Sequence, residues 1–314
     1  MGMLKTDAQS LIAVLMCTYN GAVFLDAQIH SIIDQDYKSS CIWVSDDGSS
    51  DQTQEILKKY QKILGDERLV ILSGPRQGFA QNFMSLVLNP AIKADYFAFA
   101  DQDDIWKSDK LSRAISFLGE VETSQPALYC SCAELIDEQG RSIGATPFLP
   151  KKPSFANALI QNIAGGNTMV FNLAARRLLM QVSMGMLFPS HDWWAYQIIS
   201  GVGGDIFYDK YPSIKYRQHS ANEIGAHHGL LGIVRRIAFL FKGRYHQANE
   251  KNLAALVTVQ SYFTTENKLI FDRFSYARKQ SLLPRVFFIL KSGVYRQTLF
   301  DTLGFFVAII LNKV

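Results

Sequence analysis

The chain has 314 residues, 48% of them hydrophobic and 19% charged, with a formal net charge of +4. That composition excludes a disordered chain and supports one large domain, or a main domain with an appendage. No apolar run reaches the ~20 residues of a spanning helix, and residues 1–10 lack a basic-then-apolar leader pattern, so a cytoplasmic protein is expected. In chain order, an apolar run at 11–17 predicts a strand, and apolar residues at helical spacing over 23–33 predict a helix. A short strand at 41–45 is followed by a helix capped at Ser50 or Asp51 and running to Leu64. Strand 69–72, helix 79–88, strand 95–100 and helix 107–118 continue the alternation. Repeated strand–helix pairs give a parallel sheet with helices on both faces, and ligands collect beyond the carboxyl ends of such strands. Farther on, the pattern predicts a strand over 128–136, an irregular Pro-containing loop over 143–155, and a strand over 168–171 opened by Gly165-Gly166-Asn167. Helices over 174–182 and 191–200 follow, then strands 206–208 and 214–216.

Three polar sets fall at the expected strand ends: Thr18-Tyr19-Asn20, Asp46-Asp47, and Asp101-Gln102-Asp103-Asp104. Clustered carboxylates at a strand end repel one another and lose hydration, a cost that a hard divalent ion shared with substrate phosphates removes. A solvated acidic turn is the plain alternative. Tyr19 offers an aromatic face for a nucleobase, and Asp46 a carboxylate able to accept a uracil or thymine N–H. Arg76, between a strand and a helix N-terminus with Gly78 beside it, can offset diphosphate charge. Asp192 opens a helix between His191 and two tryptophans. The helix dipole favours its charged form, the indoles restrict water, and a carboxylate so placed can act as a general base. The cysteines Cys17, Cys41, Cys130 and Cys132 lack metal-ligand spacing and read as strand packing in a reducing compartment.

The ordered set Ala13-Val14-Leu15-Met16-Cys17-Thr18-Tyr19-Asn20-Gly21, Ser45-Asp46-Asp47-Gly48-Ser49, Asp101-Gln102-Asp103-Asp104-Ile105-Trp106, His191-Asp192-Trp193-Trp194 and Tyr216-Arg217-Gln218-His219 resembles a family 2 glycosyltransferase. Within that family it is most similar to the bacterial rhamnosyltransferases, over residues 11–225. The resemblance implies an α/β protein of GT-A fold: a Rossmann-like, mostly parallel sheet flanked by helices, with a C-terminal helical extension. It implies an inverting, metal-dependent transfer of L-rhamnose from dTDP-L-rhamnose, or of another hexose from a UDP-sugar, to a glycan or lipid-linked glycan in cell-surface polysaccharide synthesis. It puts the base contact on Asp46 and the nucleotide-sugar donor against Thr18, Tyr19, Asn20, Arg76, Asp101 and Gln102. Asp103, with His219, is assigned to Mg²⁺ or Mn²⁺, Asp104 stands behind them, and Asp192 is the catalytic base. Asn167, Thr168, Trp193 and Trp194 line the acceptor side. A sugar-nucleotide pyrophosphorylase would need a basic Gly-rich loop after the first strand, yet no Lys or Arg occurs between Lys5 and Lys38. A non-catalytic binding protein is disfavoured by the intact Asp103 and Asp192.

The expected division is a catalytic domain over 1–228 and a basic helical extension over 229–314. The extension carries 13 Lys plus Arg against 4 Asp plus Glu, a net +9, while the first 228 residues carry 19 against 24, a net −5. Leu230, Ile233, Val234, Ile237, Leu240 and Phe241 share one predicted helical face opposite Arg235, Arg236 and Lys242. Apolar runs at 286–290 and 302–312 are too short to span a bilayer and suit its interface, or the surface of the catalytic body. Peripheral attachment to the inner face of the cell membrane, without nucleic acid as a partner, is the expectation.

Overall fold

The computed structural model describes residues 9–181, 186, 189–219 and 244–312. The amphipathic segment expected over 230–242 lies outside the described residues, as does the 228/229 division. Strand β1 (Ile12–Thr18) is buried at every position, because both faces of its sheet are covered. Its side chains alternate: Ala13, Leu15 and Cys17 enter one core, and Ile12, Val14 and Met16 the other. Strand β4 (Tyr96–Ala100) repeats the division, with Phe97 and Phe99 on the first side and Ala98 and Ala100 on the second.

Strands β1, β2 (Ser40–Asp46), β3 (Leu69–Ser73) and β4 are mutually parallel in the order β3-β2-β1-β4. Helices α1 (Ala22–Ile33), α2 (Thr53–Leu64) and α3 (Phe79–Leu88) connect them, as the alternating pattern predicts. Beyond β4 the sheet is mixed. Strand β8 (Val170–Asn172) runs antiparallel to β4, β6 (Ala127–Ile136) antiparallel to β8, and β9 (Asp205–Arg217) parallel to β6. The hairpin-like β7 (Ser142–Ala145) pairs with β6, and β5 (Ile105–Trp106) closes the far edge on β9. Two reversals make β6 and β9 parallel to β4. The carboxyl ends of β1, β2, β4, β6 and β9, and the entry to β8, therefore share one rim.

Several boundaries differ from the sequence reading. The strands expected at 206–208 and 214–216 are one strand, β9, whose pairing with β6 shifts register between Ser131 and Ala133 and so interrupts its periodicity. Thr168, expected as the first residue of a strand, instead ends a 3₁₀ turn over Gly166–Thr168, and β8 begins at Val170. Helix α4 (Lys110–Leu118) starts three residues later than the expected 107, because Lys107 N–H donates to Ser213 O across the β5–β9 pair. Helices α5 (Phe155–Ala158), α6 (Leu173–Met180) and α7 (His191–Gly201) cover the first core. The C-terminal helices α8 (Arg244–Val259), α9 (Thr265–Arg278), α10 (Leu282–Ser292) and α11 (Leu299–Ile310) add Leu256, Phe274, Ile289, Phe305 and Ile309 to that same core, and Phe263, in the link between α8 and α9, joins them. The extension thus packs against the body, burying one face of each helix.

Candidate active site

At the rim, the parallel pair Thr18 and Asp46 places a hydroxyl against a carboxylate. Thr18 Oγ1 donates to Asp46 Oδ1 at 2.8 Å, Ser49 Oγ to the same oxygen at 2.6 Å, and Ser49 N–H to Oδ2 at 3.0 Å. Burial pushes the Asp46 carboxyl up, but hydrogen bonds from Ser49, Thr18 and Gln54 outweigh it and hold it below the usual range. Any nucleobase N–H must share this carboxylate with donors already in place. Tyr19 is 59% exposed and projects from the loop. Gln102 grips the Tyr19 peptide from both sides: Tyr19 N–H donates to Oε1 at 2.8 Å, and Nε2 donates to Tyr19 O at 3.0 Å. Asn20, at φ 48°, takes Ser50 N–H on Oδ1 at 2.8 Å and gives its own N–H to Ser49 Oγ. Asn20 and Gln102, expected against the donor, brace the loops at the rim with their polar atoms. Asp47 accepts from the N–H groups of Arg76 and Gly78, holding Arg76 at φ 58°. Arg76 crosses Gly48 so closely that a Cβ there would lie 2.9 Å from Nε, and its side chain remains exposed at the rim.

The acidic loop is tied down by residues distant in sequence. Gln28 Nε2 donates to Asp101 O at 2.9 Å, while His219 Nε2 and Asp103 Oδ2 are 2.8 Å apart. Arg217, at the end of β9, donates its N–H to Asp104 Oδ1 at 3.1 Å and Nε–H to Asp103 O at 2.9 Å. Phe24 lies against both the Arg217 guanidinium (4.5 Å) and the His219 ring (5.1 Å). Asp104 is fully buried and receives Asn167 Nδ2 at 2.6 Å, and Lys110 Nζ, also fully buried, donates to Asn167 O at 2.6 Å. Burial, with Asp103 and Asp101 nearby, pushes the Asp104 carboxyl well up; burial lowers Lys110 to about 7, against the pull of Asp104. Both are driven toward neutrality by the same loss of hydration.

Asp103 Oδ2 and His219 Nε2 lie 2.8 Å apart, where they hydrogen-bond to each other; a carboxylate and an imidazole can both ligate a divalent ion such as Mn²⁺, which would have to replace that contact. No group of three metal-ligating side chains occurs among the described residues. Substrate phosphate and water would have to complete the coordination, as is usual for Mg²⁺.

Asp192 is 7% exposed at the start of α7. Gly166 N–H donates to its Oδ2 at 3.1 Å and Trp193 N–H to its Oδ1 at 2.7 Å. Gly166 is also needed sterically, since a Cβ would stand 2.4 Å from His191 Nε2. His191 stacks on Phe83 at 3.9 Å and meets Phe99 edge-on at 4.6 Å, with neither ring nitrogen hydrogen-bonded among the described residues. Burial lowers its pKa to about 4, so it is neutral near pH 7. Three of the residues expected on the acceptor side are engaged within the protein. Asn167 is turned inward onto Asp104, Thr168 Oγ1 donates to Gly165 O, and Trp194 is fully buried in the core. Trp193 donates Nε1–H to Ala158 O and remains partly exposed beside Asp192. Arg217, Lys110 and the Gly166 N–H were not singled out from sequence. Arg217 lay inside a motif of which only His219 was given a role, while the other two depend on a long-range turn.

The family model described as "Glycosyl transferase family 2" matches residues 13–177, 165 of the 314 positions. The dTDP-rhamnosyl transferase RfbG of Shigella flexneri is 24% identical over 259 residues, covering 80% of this chain and 87% of that protein. The putative teichuronic acid biosynthesis glycosyltransferase TuaG of Bacillus subtilis is 28% identical, covering 53% of this chain and 64% of that protein. The mannosyltransferase PcManGT of Pyrobaculum calidifontis, solved with GDP-Man and Mn²⁺, superposes with a TM-score of 0.52 at 16% identity, over 98% of this chain and 86% of that one. At that identity the superposition speaks for the GT-A fold alone. With more than half its length matched by the family model and the rim built as described, the chain belongs to glycosyltransferase family 2.

Proposed function

We propose that the protein is an inverting, metal-dependent transferase that moves L-rhamnose from dTDP-L-rhamnose to a lipid-linked glycan during cell-surface polysaccharide synthesis, at the inner face of the membrane. The observation that carries the chemistry is one connected path of hydrogen bonds and backbone: Asp192 to Gly166, on to Asn167, Asp104, Asp103 and His219. It ties a candidate base to a candidate diphosphate site through a single turn. The rhamnose donor is supported by the similarity to RfbG, and a divalent ion by the Mn²⁺ in the PcManGT complex.

In this reading Thr18, Tyr19, Asp46 and Arg76 receive the nucleotide, and the sugar lies between Asp103 and Asp192. An ion held by Asp103 and His219 would supply Lewis-acid stabilisation of the departing nucleoside diphosphate. Asp192, aimed by two backbone N–H groups, takes the proton of the acceptor hydroxyl as its oxygen bonds to the anomeric carbon. The bond from that carbon to the diphosphate oxygen breaks on the opposite face, which inverts the centre without a covalent enzyme intermediate. Trp193 restricts water beside the base.

The test is a panel of nucleotide sugars, including dTDP-L-rhamnose and UDP-hexoses, scored for nucleoside diphosphate release with and without EDTA. Asp103→Ala is expected to abolish metal-dependent donor binding. Asp192→Asn is expected to keep donor binding near normal while turnover falls about 10²–10⁴-fold, or roughly 2.7–5.5 kcal/mol in barrier. Full turnover by Asp192→Asn would remove the base assignment.

A further inference from the structure

We propose that the outward faces of α10 and α11 form a docking surface for an anionic lipid bilayer. This deepens the lipid-linked acceptor reading by naming the surface, but it stands on separate observations. Helix α10 buries Arg285, Ile289 and Ser292 and leaves Leu283, Phe287 and Leu290 outside, at i, i+4 and i+7, with exposures of 81%, 51% and 60%. Helix α11 buries Phe305, Ala308 and Ile309 and leaves Leu303, Val307 and Ile310 outside, at 63%, 51% and 57%. The same spacing on both helices marks two apolar faces with no covering among the described residues.

The two helices are held as a unit. Arg285 donates to Ile309 O at the end of α11 and to Gln280 O just before α10, so Leu282 and Leu283 share one end of the pair with Ile310 and Leu311. All four of these leucines and isoleucines are exposed. Neither helix is long and apolar enough to cross a membrane, which leaves the interface plane as the depth they can reach.

Charge selects the occupant. Between residues 279 and 312 the exposed or part-exposed basic side chains are Lys279, Lys291 and Arg296, against the single acid Asp301; Arg285 is buried in the contact between the helices. Lys291 Nζ lies over the Phe287 ring at 4.7 Å, keeping its ammonium beside the apolar face, where it can reach a headgroup phosphate. The whole segment from 229 onward is +9 while the body is −5. A second copy docking face to face by two-fold symmetry would bring two such basic segments together. An anionic bilayer meets the apolar faces and the basic charge at once.

The full chain should sediment with vesicles of phosphatidylglycerol and phosphatidylcholine, less with phosphatidylcholine alone, and less as salt is raised. Leu283→Glu/Phe287→Glu and, separately, Leu303→Glu/Val307→Glu should each lower the partition coefficient at least about tenfold. Melting temperature and nucleoside diphosphate release in solution should stay at wild-type values. Unchanged vesicle binding in both variants overturns the proposal. So does a dimer that either variant splits, which makes a second copy the occupant, or a marked fall in melting temperature, which means the chain itself covers the face. Vesicle binding without any diphosphate release would leave the surface assigned and remove the transferase reading; release without binding would do the reverse.

Discussion

His191 and Asp192 are adjacent in sequence yet meet opposite environments, because the first turn of α7 directs one into the aromatic cluster and the other to the rim. The imidazole among Phe79, Phe83 and Phe99 is neutral by burial, with its pKa lowered from 6.5 to about 4. A cationic group whose folded pKa is depressed gives stability that is fully present above about pH 6.5 and is lost as pH falls toward 4. Between pH 7 and pH 5 that loss is about 2 kcal/mol. Urea unfolding of wild type at the two pH values should show it, and His191→Phe should shrink the difference between them; an unchanged difference would place the acid sensitivity elsewhere. Gly21 makes a second residue-scale case. A Cβ there would stand 2.1 Å from Gln102 Oε1, the atom that accepts Tyr19 N–H. Gly21→Ala should therefore break the Gln102–Tyr19 clamp and weaken nucleotide binding about tenfold, the worth of one ~1.4 kcal/mol hydrogen bond, measurable by calorimetric titration with nucleoside diphosphate. Asp103, His219 and Asp192 can be singled out as candidates from sequence because each sits in a short motif. The clamp cannot, since nothing local to Gln102 points to residue 19.

At the scale of elements, the 3₁₀ turn Gly166–Thr168 and the end of β9 do most of the positioning; the sequence shows the turn but not its place, and it splits β9 in two. A Gly-Gly-Asn opening followed by apolar residues looks like a turn feeding a strand. Only the antiparallel entry of β8 beside β4 shows that the turn lies at the rim, with its Asn facing inward. Likewise the register shift against β6 makes β9 resemble two short strands, hiding that one strand carries Arg217 to the acidic loop. The first half was legible because β1–α1–β2–α2–β3–α3–β4 is built from short local units with apolar periodicity. The second half depends on pairings between distant segments. Asn167→Ala tests the turn. It removes the side-chain donor to the buried Asp104 and leaves Arg217 N–H, so a loss of about 1–3 kcal/mol is expected in urea unfolding. Turnover should fall more than donor affinity, since the turn also delivers Gly166 N–H to Asp192. A stable variant with wild-type turnover would show that the path between the two sites is incidental.

For the molecule as a whole, the basic extension is structural as well as a candidate docking surface. Helix α7 carries Asp192 at its N-terminus, and its C-terminal carbonyls are satisfied by the extension: Asn267 Nδ2 donates to Ser200 O at 2.9 Å and Gly201 O at 3.0 Å, and Thr264 N–H to Gly201 O at 3.1 Å. Phe263 fills the space beside them, with its ring 4.8 Å from Phe155 and 5.7 Å from Phe271, so tightly that a Cβ on Gly201 would come within 2.8 Å of it. Farther along, Gln297 accepts Lys151 N–H, and Tyr295 O accepts Asn157 Nδ2. Body and extension therefore share one core and one polar seam, and a chain ended at 243 would open both. We expect such a truncation to accumulate as insoluble protein rather than as a smaller transferase. A single substitution gives the quantitative form: Phe263→Ala in the full chain should cost about 3–5 kcal/mol, as for other buried aromatics truncated to alanine. Chemical denaturation measures it directly. A truncated 1–243 chain that melts cooperatively, or a Phe263→Ala protein as stable as wild type, would mean that α7 holds Asp192 in place without help from the extension.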